Sequence, residues 1–455
     1  MRYRQRLVRS LGFLVLPVAL AAAGCATDRA ADEGAAAAVA PSDGPEPVTL
    51  VQDDSGIRLQ VDGRDFFVNG VNWDYRPIGT TYDYLLWEKP REVIQTAVDR
   101  EMALLQQMGV NAIRTYRTRV EAEDKGITPE WVEYIHANYG IYTIINHVVG
   151  RYGVDVAGEW QPDTDYSNPA VHARLVAEVK EVVAKFKDTR GVLLWLLGNE
   201  NNYGLVWSSA STENVPEEER GSLRARWLYR TMGMAAAAVK EVDTLRPVAI
   251  ANGDLQYLEM IGEEIPDMDI FGANVYRGLT FTGAFAEVYE TLGLPFLLTE
   301  FGADAYNART QEEDQFNQAR FLRSNWEEIY AEAAGMGRTG NSLGGLTFQW
   351  SDGWWKQDQS LNLDVHDTTA SWSNDGYDHD YMPDANNMNE EWWGVVAKGP
   401  TDENDQFDLY PRAAFYTLQQ MHRFDPYADS ADPEALQRLV DSIDLAADVA
   451  KAGGR

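Results

Sequence analysis

The sequence predicts a (β/α)8 barrel of the TIM type, an α/β fold, with a long Trp- and Asp-rich loop after the eighth strand. Three observations carry this. Eight short apolar segments alternate with segments of helical periodicity, the rhythm of parallel strands joined by right-handed crossovers. Polar residues follow directly on the apolar runs, at the strand ends where such a barrel keeps its ligands. An open doubly wound sheet would want a Gly-rich phosphate turn after its first strand, and Gly70-Val71-Asn72-Trp73 is not one. A length of 455 residues suits a barrel with insertions.

Residues 48–66 read as a small hairpin closing the bottom of the barrel, with turns at Asp53-Asp54-Ser55-Gly56 and around Asp62-Gly63. Residues 67–73 are the first barrel strand. A helix over 91–108 carries Ile94, Val98, Met102, Leu105 and Met108 on one face, and Gly109 stops it. Strand two is 110–116. Thr128-Pro129 opens a helix that Gly140 ends. Strand three is 141–149, and Asn168-Pro169 opens a helix to about Asp188. Strand four, 192–197, is uncharged and short, as a strand buried on both faces should be. It runs straight into Gly198-Asn199-Glu200. A helix over 216–243 precedes strand five at 247–252, and a short helix over 255–264 precedes strand six at 269–275. After a helix at 283–292, strand seven at 295–299 ends in Glu300-Phe301-Gly302. A long helix over 311–334, strand eight at 343–350 and a last helix over 411–422 complete the barrel. Residues 351–410 show no clear periodicity; a loop of that length belongs over the active-site mouth.

The domain plan is a leader at 1–25, a tether at 26–47, the barrel at 48–430, and a terminal helix and tail at 431–455. Arg2, Arg4, Arg6 and Arg9 precede an apolar stretch too short to span a membrane comfortably. Cys25 follows Ala-Gly and is the sole cysteine. This resembles the lipobox of bacterial lipoproteins, and implies an exported protein lipid-anchored through Cys25. Ala26 in place of Asp favours the outer membrane. The formal net charge of −32 becomes −36 without the leader's four arginines. So acidic a surface argues against nucleic acid and anionic membranes as partners, and suits a neutral substrate.

The strand ends supply Asn72, Arg114 with Tyr116, Asn146 with His147, Asn199 with Glu200, Asn252, Asn274 with Tyr276, Glu300, and Trp350. This ring of hydrogen-bonding and stacking groups around two acids suits a hydroxyl-rich ligand. Two carboxylates at matched strand ends are the minimum equipment of a glycosidase.

The arrangement of Asn199-Glu200 and Glu300, with Arg114, Tyr276 and Trp350, resembles the retaining β-glycosidases of glycoside hydrolase clan A. The likeness covers roughly residues 58–422 and is nearest to the barrel domain of family 2. Residues 66–73 also look like the start of fungal β-1,3-glucanosyltransferases. The resemblance implies double displacement on a neutral β-glycan, with Glu300 as nucleophile and Glu200 as acid/base, their carboxyls about 5–5.5 Å apart. Asn199 would bind the sugar 2-hydroxyl and Trp350 would floor the sugar subsite. Arg114 and Tyr276 would hold Glu300 ionised. Asn72, His147, Trp354 and Trp355 join them as substrate-binding candidates. No cofactor is expected. Asp375, Asp378, Asp380 and Asp384 lack the glycine and terminal Glu of a calcium loop, and six His with one anchored Cys make no zinc pattern. A β-glucan transglycosylase and a non-catalytic glycan-binding barrel are the alternatives.

Overall fold

The computed structural model describes residues 44–116, 126–356, 359–378, 380 and 387–453. The leader, Cys25, most of the tether and Asp384 lie outside the described residues.

Eight strands form the barrel: Val68–Asn72, Ala112–Thr115, Tyr142–His147, Val192–Leu197, Val248–Gly253, Phe271–Asn274, Phe296–Phe301 and Ser342–Thr347. The fifth is interrupted at Ala251, so it counts as two of nine ladder segments. All barrel pairings are parallel. Strand eight pairs with strand one through Gly344↔Val68. The fifth strand completes the ring by changing partners: Val248 pairs with Trp195 of strand four, and Gly253 with Asn274 of strand six.

Side-chain alternation divides the core into two layers. Val68, Ala112, Ile144, Leu194, Leu196 and Leu297 fill the barrel interior. Ile113, Ile145, Trp195, Phe296 and Leu298 meet the surrounding helices. Val48, Leu59 and Val61 join the interior cluster. The expected hairpin, Val48–Asp53 with Gly56–Val61, therefore plugs the bottom of the barrel, and Arg64–Asp65 adds a short third strand. Gly56 and Gly340 meet so closely here that a Cβ on Gly56 would stand 2.1 Å from the Gly340 carbonyl oxygen.

The helices follow their sequence signals. Arg91–Met108 and Pro129–Tyr139 end on left-handed Gly109 and Gly140, and Asn168 caps Pro169–Phe186 by accepting from the Ala170 amide. Four expectations shift. The long helix expected over 311–334 begins at Gln315, because residues 306–313 fold into a small hairpin and Asp314 supplies the cap. The short helix begins at Leu258, after left-handed Tyr257. The segment 351–410 contains a hairpin, Val396–Thr401 with Phe407–Pro411. The carboxyl end holds two helices, Pro433–Ser442 and Leu445–Ala452, each capped by an Asp, and they pack on Gln315–Ala331 and Ala413–Met421.

The folded part also begins before residue 48. Glu46 is buried, accepting from Arg190 Nε at 2.9 Å and the Gly191 amide at 3.0 Å.

One buried ion pair fastens the chain after strand eight to the last barrel helix. Arg412 donates Nη1 to Asp352 Oδ1 at 2.6 Å and Nη2 to Oδ2 at 2.7 Å, and Nε to Glu313 at 2.6 Å. Both Arg412 and Asp352 are 1% exposed. Arg412→Met would strand the Asp352 carboxylate and lower unfolding free energy by about 3–5 kcal/mol in urea titrations. Adding Asp352→Leu should recover most of that loss; no recovery would show that the pair is not the cause.

Candidate active site

Strands two, six and seven bring three donors to one carboxylate. Glu300 Oε1 accepts from Arg114 Nη1 at 3.0 Å and from the Tyr116 hydroxyl at 2.7 Å, and Oε2 accepts from the Tyr276 hydroxyl at 2.9 Å. Burial first, and then the charge of Glu300, push both phenols well above their ordinary pKa, so both remain donors. Arg114 is 0% exposed and has an acceptor on each of its three nitrogens: Nε reaches Asn146 Oδ1 at 3.0 Å, Nη2 reaches Asn199 Oδ1 at 2.8 Å, and Nη1 also reaches the Thr299 carbonyl.

Glu200 is held differently. Its backbone is left-handed, φ 54°, which is uncommon outside glycine. The residues that follow fix it there. Asn201 accepts from the Asn199 amide and donates to the Val148 and Val149 carbonyls. Asn202 forms a two-way bond with the Gly253 backbone. Desolvation, and after it the charge of Glu300, push the Glu200 carboxyl up to about 7, against a bond from Asn274 that pulls it down. The site thus holds one carboxylate met by three donors and one carboxyl poised to carry a proton near neutrality, the division of labour acid/base chemistry requires.

Asn199 sits between them. Its oxygen accepts from Arg114 and Asn274, and its amide donates to the Tyr152 hydroxyl at 3.0 Å. Asn72 joins strand one to strands seven and eight, donating to the Thr299 and Leu346 carbonyls and facing the Tyr116 hydroxyl at 2.8 Å. Asn72 is a brace of the barrel mouth.

Two candidates do not reach the site. His147 faces outward, its Nε2 3.5 Å from Glu178 on the next helix and its Nδ1 accepting from the Val149 amide. Asn146, one residue earlier, shares the inward face with Ile144 and receives Arg114. Trp350 is 0% exposed and its ring packs against Phe415 in the outer layer, so it offers no floor to a ligand. The aromatic rings beside Tyr276 are instead Phe348, Trp372 and Trp393, with Trp393 nearest at 5.0 Å.

Trp354 and Trp355 serve the loop. Trp354 stacks on His366 at 4.6 Å, and His366 stacks on Trp392 at 3.7 Å. Trp355 covers the Arg76 guanidinium and meets Tyr82. The loop itself does lie on the strand ends, as Tyr377 donates to the Gly302 carbonyl and Asn374 to that of Tyr276. Among the described residues its acids are separately held: Asp378 pairs with Arg320 at the surface, whereas Asp380 is buried against the Ala308 amide.

Tyr116, Asn146 and Asn274 stand in the strand-end ring read from the sequence without an assigned role, and Tyr152 stands outside that ring. Tyr116 stands two residues after Arg114 and points the same way, so alternation alone marks it. Tyr152 lies in a loop and carries no such signal.

A closed parallel barrel with two unlike carboxyls at its mouth defines the glycosidase class of barrel. The family described as Glycosyl hydrolases family 2, TIM barrel domain, matches residues 57–362. The chain belongs to glycoside hydrolase family 2. A sequence search of curated proteins finds no match. Among solved structures, the chain is similar to a GH2 β-galacturonidase from Eisenbergiella tayi bound to galacturonate, with 16% identity, TM-score 0.50, and coverage of 84% of this chain and 55% of that one. It is also similar to a Bacteroides uniformis β-glucuronidase, with 15% identity, TM-score 0.50, and coverage of 82% and 37%. A second Bacteroides uniformis β-glucuronidase, covalently bound to cyclophellitol-6-carboxylate aziridine, gives 15% identity, TM-score 0.51, and coverage of 83% and 37%. The chain thus spans about half or less of the length of these structures, and the likeness is one of fold.

Carboxyl ¹³C NMR tests the coupling. Glu200 should titrate near pH 7, and in Glu300→Gln its midpoint should fall, because a negative charge that disfavours its ionisation is gone. An unchanged midpoint would exclude the coupling.

Proposed function

We propose that the protein is a retaining β-glycoside hydrolase acting on a neutral oligo- or polysaccharide. The unlike settings of Glu200 and Glu300 carry this reading. Glu300 attacks the anomeric carbon and the carbon–oxygen bond to the leaving group breaks, while Glu200 gives its proton to the departing oxygen. Water then enters, Glu200 takes its proton, and the ester at Glu300 is released. Asn199, fixed by Arg114 and Asn274, presents its amide beside the reacting centre.

Neutrality is supported by charge. Arg114 is paired with Glu300 and has an acceptor on every nitrogen, and Arg277 is paired with Asp254. A third carboxyl, Glu390, lies near the site and is pushed up by burial, opposed by Lys356 and Trp372, with Glu300 adding to the rise. The paired arginines are poor partners for a uronate, and Glu390, where ionised, repels one. Among the described residues, Arg151, over the Tyr152 ring, and Lys356, which acts on Glu390, are the cations nearest to hand for a uronate, and Arg151 is the one beside Asn199.

Incubation with β-linked glucans, galactans, mannans and xylans and with β-uronides, followed by NMR of the first-formed anomer, tests the proposal. The β-anomer of a neutral sugar should appear first. Glu200→Gln should lose about 10²–10⁴-fold in kcat and Glu300→Gln at least as much. The native kcat/KM should fall above pH 7 as Glu200 deprotonates. An α-anomer first, or full activity in either variant, would sink the mechanism; preference for a uronide, lost in Arg151→Met, would sink neutrality. Longer oligosaccharides as first products would instead favour the transglycosylase reading, which the 66–73 likeness motivates.

The leader is proposed to direct export and lipidation at Cys25. Metabolic labelling with an alkynyl fatty acid should mark the native chain and not Cys25→Ser; equal labelling of both would overturn this.

A further inference from the structure

We infer that the loops after the third and fourth strands form an aromatic platform for the leaving group, and that this leaving group is itself a sugar ring of a β-linked chain. The inference rests on the proposed reaction, in which Glu200 protonates the departing oxygen. That oxygen must reach Glu200, so the group attached to it must lie against the solvent-facing surroundings of Glu200.

Those surroundings are aromatic. Tyr152, Trp160 and Tyr203 are 50%, 48% and 49% exposed. Tyr203 closes the single turn that starts at Glu200, its amide donating to the Glu200 carbonyl at 3.0 Å. Its ring lies over Gly253, where a Cβ would stand 2.4 Å from Tyr203 Cε2. Tyr152 tucks its hydroxyl against the Asn199 amide and turns its ring outward. Trp160 returns on the hairpin of Val154–Val156 and Glu159–Gln161, and lies over Gly153. A Cβ on Gly153 would stand 2.4 Å from Trp160 Cζ2, and Gly153 has φ +113°. Glycine is required at Gly153, by its φ and by the Gln161 carbonyl 2.8 Å from where a Cβ would be, and the absent side chain of Gly253 leaves the space that the Tyr203 ring fills.

The two loops are tied together. The Arg151 guanidinium lies 5.4 Å from the Tyr152 ring centroid, and its Nη1 is 2.9 Å from where a Gly204 Cβ would be. Asn201 donates from the fourth-strand turn to the Val148 and Val149 carbonyls of the other loop. Three rings held on a common scaffold and left half in water present apolar faces with polar edges, which suits the C–H face and hydroxyl rim of a pyranose. The charge of Glu200 acts on both the Tyr152 and the Tyr203 phenols, and Trp160 lies over Gly153, the residue after Tyr152, so the aromatic surface begins beside Glu200 and continues along the loop. The arrangement therefore favours a substrate that continues past the cleaved bond.

Two probes of the sugar with the highest turnover in the panel separate the platform from the chemistry. One is its β-glycosyl fluoride, whose leaving group is a bare ion; the other is its β-linked tetrasaccharide. In Trp160→Ala and in Tyr203→Ala, kcat/KM on the tetrasaccharide should fall by about ten-fold more than on the fluoride. Tyr203→Phe, which keeps the ring, should restore the tetrasaccharide rate. Equal losses on both probes, or no loss on the tetrasaccharide, would overturn the platform while leaving the glycosidase reading intact. Native protein that turns over neither probe would overturn both.

Discussion

The site depends on a guanidinium that has no access to water. Arg114 is fully buried, so each of its donors must find an acceptor within the barrel. It finds Glu300 and the Thr299 carbonyl on strand seven, Asn199 beyond strand four and Asn146 on strand three. Because the guanidinium is planar and its fork is fixed, these four positions must agree with one another. A lysine would neutralise the charge and fix nothing else. The geometry of the barrel mouth is therefore coupled: placing Glu300 also places Asn199, and Asn199 is the residue that leads into Glu200. Asn72 and Tyr116 extend the same constraint to strands one and two.

That coupling explains what could be read in advance. Strand order, most helix limits and the strand-end positions of Glu200 and Glu300 follow from local signals: an uncharged apolar run, a Pro at a helix start, a Gly at its end. Gly109 and Gly140 take the left-handed conformation at which the sequence places them. The inward or outward sense of a side chain is also local, which is why Tyr116 and Asn146 were open to a stricter reading of the two-residue period. The pleat turns His147, one residue further on, towards Glu178.

Other features have no local signal. Trp350 stands beyond the last ladder residue of strand eight, where alternation no longer applies, and its ring enters the layer beside Phe415. Glu46 lies in a stretch with the composition of a tether, yet Arg190, 144 residues away, buries it. The loop after strand eight owes its shape to Arg412, to Asn374 on the Tyr276 carbonyl, and to the Trp354–His366–Trp392 stack. These contacts join residues by chemistry across distances that periodicity does not encode.

The electrostatic link between the two carboxyls has a consequence for the order of events. Two causes hold the Glu200 carboxyl near 7, desolvation and the charge of Glu300. In the proposed reaction, bond formation at Glu300 turns its carboxylate into an uncharged ester. The second cause then disappears while the first remains, so Glu200 becomes the stronger acid at the moment its proton is leaving for the departing oxygen. Having lost the proton, it stays ionised through the life of the glycosyl-enzyme and can accept one from the incoming water. Hydrolysis of the ester returns the charge to Glu300, and Glu200 is driven back towards its protonated form. One residue can thus act as acid and then base without moving, because the charge that sets its proton affinity is itself the reacting group.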